Sequence, residues 1–329
     1  MTSGTGAPDD AVVSAFAEHV HDRDRWARGA RGPLALVNAQ HVDQPQSVWP
    51  VPGTWAPAVG GLTVTAEAAD GVVVDGVPVD GTVLVAGDTA VVPSTVALPD
   101  GFAGTVSGDT LRVWDPSSES IARFAQIARF AWSGDWVTTG TYVPLVGDDL
   151  EARGSVRDAA GDALPVAGHI ETVVGGATVR FVAVRSAAHR GAPRLQLIVQ
   201  DATSALPEDD PGSTYSMGRF LYLDDPGMQA TVELDWNLLV LPPCAFSYQY
   251  ACPIPPEDNR VPVPITAGGA TPGRRGRCRP ALIGVGSLPF PAAALHNGRV
   301  PSGHHNRIPM VPWPLGSGSS APGRWGSRT

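Results

Sequence analysis

The sequence predicts a mainly β protein: an N-terminal helix, then two antiparallel β domains, each a sandwich or small barrel, then a disordered C-terminal tail. Three observations carry this. Apolar residues near the start recur at helical spacing, and from residue 34 onward the pattern changes to short β-branched runs separated by turn signals. The final 62 residues hold 12 Gly and nine Pro and no acidic residue.

The helix is expected over residues 10–28, within a lead-in of 1–33. Val13, Phe16, Ala17 and Val20 fall at i, i+3, i+4 and i+7, while Glu18, His19, Asp22 and Arg25 face elsewhere. Asp9 or Asp10 can cap its start, Gly29 follows its end, and Gly32-Pro33 stops any helical continuation. The first β domain, 34–115, opens with Leu34–Val37 and closes with Leu111–Trp114. Between them Asp70-Gly71, Asp75-Gly76 and Asp80-Gly81 separate β-branched runs. Asp-Gly there signals a hairpin, because a type I′ turn needs φ > 0 at both central positions.

Residues 116–135 read as a connector, and helical spacing of Ile121, Phe124 and Ile127 leaves open whether it contains a helical turn or two. The second β domain, 136–267, contains the runs Trp136–Val143, Thr178–Val184, Leu195–Gln200, Met217–Leu223 and Thr231–Trp236. The tail, 268–329, cannot bury enough apolar surface to offset its chain entropy. A natural disordered tail, a basic arm and a frameshifted extension of GC-rich DNA all fit its composition.

Charge excludes several functions. The chain has no lysine, so all 23 basic residues are Arg. No Schiff base and no P-loop Lys is possible. Residues 1–263 hold all 32 acids and 15 of the arginines, which sets the body against phosphate backbones, and no nucleic-acid partner is expected. No apolar run approaches the ~18–20 residues of a membrane span, and the N-terminus lacks the basic and apolar regions of a signal peptide. A cytoplasmic protein without a membrane partner is therefore expected. No G-x-S-x-G, H-E-x-x-H or G-x-G-x-x-G is found. No cofactor is expected, and whether the chain is an enzyme stays open.

Two constellations remain. Cys244 and Cys252 are spaced too far apart for C-x-x-C redox chemistry or a zinc knuckle, and Pro242, Pro243 and neighbouring prolines pin the chain around them. Structural packing without metal is the favoured reading, with a metal pair or a redox pair as alternatives; Cys278 is incidental. Arg219 lies among Met217, Leu221 and Leu223, and must be paired if buried. The next strand places Glu233, Asp235 and Asn237 on one face, so hairpin pairing would bring Asp235 to Arg219. An ion-pair strut and a ligand clamp both fit. Asp201 either accepts hydrogen bonds at a strand end or forms an Asx turn with Thr203. His19 and His21, with Asp22 and Asp24, belong to a solvated helix face; His169, His189, His304 and His305 are scattered.

Residues Thr214–Arg260 carry T-Y-S-M-G-R-F-L, D-W-N, P-P-C-A-F, C-P-I-P-P and N-R in that order. This resembles the signature of the bacterial family known as domain of unknown function 1684, with T-Y-G-x-G-R-F-L, D-F-N, P-P-C-A-F, C-P-L-P-P and N-R-L-P. The resemblance runs from about residue 30 to 267. Ser216, the apolar run Leu238–Leu241 and the placing of Gln249 depart from the pattern. The resemblance implies weight for Tyr215, Gly218, Asn259 and Arg260 but names no reaction. The expected function is a small-molecule-binding β module whose site includes Arg219, Asp235, Asn237, Tyr215, Asn259 and Arg260. The alternatives are a small hydrolytic or isomerising enzyme using the same carboxylates, and a structural or interaction protein.

Overall fold

A computed structural model describes residues 10–145, 156–189, 191–274 and 282–283, without the side chains of 188, 189, 282 and 283. All of them belong to the first of two units into which the chain divides, residues 1–286. Cys278, His304, His305 and the expected tail beyond Arg274, apart from Leu282–Ile283, lie outside the described residues, as does the possible cap Asp9.

Helix α1 spans Asp10–Ala27. Its inner side is not the one the apolar spacing suggests: Val13 is exposed, whereas Phe16, His19, Val20, Arg23 and Asp24 are half-buried and Ala27 is buried. His19 and Asp24 therefore leave the expected solvated face. The reason is electrostatic as well as apolar. Asp24 Oδ1 accepts from Arg129 Nη2 at 2.9 Å and from the Ile127 amide at 3.0 Å, which docks the helix on the connector.

The first β region contains β1 (Leu36–His41), β2 (Gln46–Val48), β3 (Val51–Ala58), β4 (Gly61–Ala66), β5 (Val73–Val74), β6 (Val77–Pro78), β7 (Gly81–Ala86), β8 (Val96–Ala97), β9 (Ala103–Ser107) and β10 (Thr110–Trp114). They form a six-stranded sheet, β1-β10-β9-β8-β5-β6, and a four-stranded sheet, β2-β3-β4-β7. Trp55, Leu62 and Val64 from the smaller sheet share one core with Val106 and Leu111 from the larger, which makes the region a sandwich. Asp75-Gly76 is the expected primed turn, with φ of 53° and 80°. Asp80-Gly81 is not a hairpin: β7 leaves β6 and pairs with β4 in the other sheet.

The connector forms a short helix, α2 (Glu119–Arg123), capped by the Ser118 hydroxyl, and then a strand, β11 (Phe124–Phe130). The second region follows with β12 (Val137–Pro144), β13 (Val166–Val174), β14 (Ala177–His189), β15 (Ala192–Asp201), β16 (Arg219–Asp224), β17 (Ala230–Asp235) and β18 (Arg260–Val261). The sheet order is β16-β15-β14-β13-β12-β17, with β18 beside β15. Thus β16 and β17, adjacent in sequence, lie at opposite ends of this order and do not form the hairpin that alternation alone suggests. After β17 the chain returns: Phe220 and Val240 exchange two backbone hydrogen bonds of 2.9 Å, which curls the sheet toward a barrel. Its interior is filled by Trp236, Phe181, Tyr142, Ile170, Leu197 and Leu221.

Beyond residue 268 the chain continues as β19 (Gly269–Arg274), antiparallel to β11, and β20 (Leu282–Ile283), parallel to it. The start of the expected tail is thus sheet. Phe124 and Ile127 on β11 are buried, and their strand is covered by a partner whose residues are locally rich in Gly and Pro.

Candidate functional site

The signature begins at a turn that only glycine fits. Gly218 has φ of +88°, and a Cβ there would lie 2.5 Å from the Val199 carbonyl oxygen. The turn delivers Arg219 into the interior, where it has no solvent exposure. Its Nη2 donates to Asp201 Oδ2 at 2.6 Å and to the Ile265 carbonyl at 2.8 Å. Its Nη1 donates to the carbonyls of Ala267 and Gly269. Asp201 Oδ1 accepts from the Thr203 amide at 2.9 Å, the Thr203 hydroxyl at 2.6 Å and the Ile265 amide at 3.1 Å. Burial pushes the Asp201 carboxyl up, but Arg219, the Thr203 hydroxyl and the Ile265 amide together outweigh it and hold the group below the usual carboxylate range. The Thr203 and Thr214 hydroxyls share a 2.8 Å hydrogen bond. One ion pair therefore ties the end of β15 and the start of β16 to the segment entering β19 and, through Thr203, to Thr214.

Over this node opens a cleft of about 490 Å³ between α2, β19 and the signature loops. Thr214, Tyr215, Ser216 and Phe246 come from the signature; Arg123 comes from α2 and Arg274 from β19. The Tyr215 amide donates to the Ala270 carbonyl at 2.9 Å, so the signature wall and the β19 wall are joined. Arg123 pairs with Glu119 one turn away on α2, while Arg274 has no ion pair among the described residues. The cleft combines hydroxyls, aromatic faces, guanidinium groups and the carboxylates of Glu119 and Glu208, the mixture that orients a polar small molecule.

Beside Tyr215 the two cysteines meet as free thiols. Pro242 precedes a 3₁₀ turn, Pro243–Ala245, and the Cys244 amide donates to Cys252 Sγ at 3.3 Å. The hydrogen bond from Cys252 holds the Cys244 thiol down to about 7; burial opposes this, and the Tyr215 hydroxyl and the amides of Cys244 and Ala245 assist it. Cys252 is pushed up by the same hydrogen bond and by burial, and Tyr215 is pushed up by burial and by Cys244. Among the described residues no three His, Cys, Asp or Glu side chains are grouped to hold a metal.

The residues singled out in the sequence are not brought together. Asp235 does not meet Arg219; its Oδ1 accepts from the Asn237 amide at 3.0 Å and from Asn237 Nδ2 at 2.8 Å. Asn237 is buried and uses its side chain on both backbone groups of Ser133, at 3.1 and 3.0 Å. Asn259, also buried, does the same to Val182 in β14, at 2.7 and 2.9 Å. The Asn259 amide stands in for a missing strand neighbour, and the Asn237 amide ties down the loop after β11. Arg260 is exposed on β18. Tyr215 alone of the six lines the cleft. The Asx turn expected between Asp201 and Thr203 is present, with the Thr203 amide donating to Asp201 Oδ1, but the sequence did not point to Arg219 as the partner of Asp201.

A mainly β domain with its signature loop at a polar cleft is the class this geometry defines. Residues 122–270, from α2 to β19, match the model of a family described as protein of unknown function (DUF1684). The resemblance is thereby borne out for that stretch, and the sandwich before it lies outside the match. No curated protein matches the chain. Among solved structures, an uncharacterized protein of Haloarcula marismortui is similar at 23% identity, covering 45% of this chain and 77% of that one, with a TM-score of 0.35. Among the described residues no helix is long and apolar enough to cross a membrane.

Proposed function

We propose that the chain is a small-molecule-binding β module and that its ligand occupies the cleft framed by Thr214, Tyr215, Ser216, Phe246, Arg123 and Arg274. One observation carries this reading: the cleft walls are the signature loops and β19, and the buried Arg219 holds both in place through Asp201 and the carbonyls of residues 265, 267 and 269. Arg219 acts here as a positioning residue, since a ligand cannot reach a side chain without exposure. Arg274, which has no ion pair among the described residues, and a row of hydroxyls favour a polar ligand with hydroxyl groups or a carboxylate, the latter placed away from Glu119 and Glu208. The acid–base reading has less support, because Asp201 is committed to Arg219 and Asp235 to Asn237.

The test is native mass spectrometry of the purified protein together with a thermal-shift panel of small carboxylates and polyols. A bound species or a stabilising compound class is expected for the natural chain and not for Ser216→Trp, which fills the cleft from an exposed position. No bound species and no shift, or equal shifts in both proteins, would refute the reading.

A further inference from the structure

A second groove, of about 630 Å³, lies where α1 crosses the outer face of β15 and β16. Arg23 and Trp26 on α1 face Arg194 on β15 and Tyr222 and Phe220 on β16, and no carboxylate lines the space. The arginines are stacked: the Arg23 guanidinium carbon lies 3.8 Å above the Trp26 ring and that of Arg194 lies 4.9 Å from the Tyr222 ring centre. Stacking uses the flat faces of the guanidinium groups and leaves their N–H edges to find acceptors. Arg23 Nη2 donates to the Leu241 carbonyl at 3.3 Å. Arg23 Nε and Arg194 Nε are buried and, among the described residues, have no hydrogen-bond partner.

The nearby acids do not supply one. Asp24 is engaged by Arg129 at 2.9 Å. Asp224 stands opposite Arg194 in register but is exposed and forms no ion pair with it. The local field is positive in consequence. His19, which also lines the groove, is held down to about 4 by burial and then by Arg23 and Arg129. Burial brings Arg23 itself down to about 10. Buried donors without acceptors are rare in folded proteins, and two in one acid-free groove call for an anion.

We infer that this groove, separate from the signature cleft, is a binding site for a small aromatic anion, its carboxylate or sulfonate on the N–H edges of Arg23 and Arg194 and its ring against Tyr222 and Trp26. The probe is 1-naphthoate, with uncharged 1-naphthamide as its isostere, titrated by calorimetry into the full chain. The natural protein should bind the naphthoate saturably and at least tenfold more tightly than the amide. Arg194→Gln and Arg23→Gln should each weaken binding at least tenfold. Arg180→Gln, which removes an exposed charge elsewhere on the sheet, should leave it unchanged. Ser216→Trp should also leave it unchanged, which separates this site from the cleft. Melting curves identify any variant that fails to fold, and Arg194, on a strand edge-to-edge with intact neighbours, keeps the test open if Arg23→Gln unfolds. Absence of saturable binding, equal affinity for the amide, undiminished binding in folded Arg194→Gln, or loss of binding in Ser216→Trp would each overturn the assignment.

Discussion

Arg219 and Asp201 form a 2.6 Å ion pair with both side chains removed from solvent, and neither has another charged partner among the described residues. Removing one member leaves the other charge buried, which typically costs about 3–5 kcal/mol. Arg219→Met and Asp201→Asn should each approach that loss in chemical denaturation, and the double variant should lose clearly less than their sum. Asp235→Asn should combine additively with Arg219→Met. Additivity for Asp201 and coupling for Asp235 would reverse the assignment of partners.

The same pair sets an acid limit. Asp201 titrates lower in the folded chain than in the unfolded one, so the unfolded chain binds more protons as pH falls below the ordinary carboxylate value of about 3.9. Its stabilisation is complete above that value and is lost as pH falls through the folded value. A stability–pH profile should therefore be flatter below about pH 4 in Asp201→Asn than in the natural chain. Parallel profiles would mean the carboxylate is not held down.

Asn259 gives both hydrogen bonds that Val182 would otherwise receive from a neighbouring strand. In Asn259→Leu the Val182 N–H and C=O are orphaned, at about 1–3 kcal/mol for each buried group. Urea denaturation should show a loss in that range or above it. A neutral Asn259→Leu would mean that Val182 finds other partners.

Cys244 should alkylate with iodoacetamide at neutral pH, with the rate rising through about pH 7 as thiolate forms. Cys252, pushed the other way, should react only on unfolding. Tyr215→Phe removes a donor to Cys244 and should move its profile to higher pH. Equal reactivity of the two thiols in the folded protein would contradict the hydrogen-bond pattern.

Chain length gives a last measurement. A chain ended after residue 286 keeps every described residue, whereas one ended after Gly268 loses β19, β20 and the Gly269 carbonyl that Arg219 donates to. The shorter chain should melt well below the longer one. Coincident melting would make β19 an accessory of the fold.

Periodicity and turn chemistry, which are local, were enough to read the helix over residues 10–28, the primed turn at Asp75-Gly76, half the strands of the first β region and β12 and β14–β17 of the second; β2–β4, β8, β9 and β13 carry no such local mark. The T-Y-S-M-G-R-F and P-P-C-A-F stretches also marked loops that line the cleft, because a positive-φ glycine and paired prolines leave few backbone choices. Strand neighbours were not readable in this way. Alternation in β16 and β17 is the same whether they pair with each other or lie at opposite ends of a curled sheet, so Asp235 was assigned to an arginine that Asp201 holds. The inner face of α1 was misread because an ion pair to Arg129, 105 residues away, outweighs the pull of Val13. Likewise the acceptors of Arg219 are main-chain carbonyls, which every residue carries and no side-chain pattern announces. Residue types settled which groups need partners in the interior; only the packing of distant segments decided who the partners are.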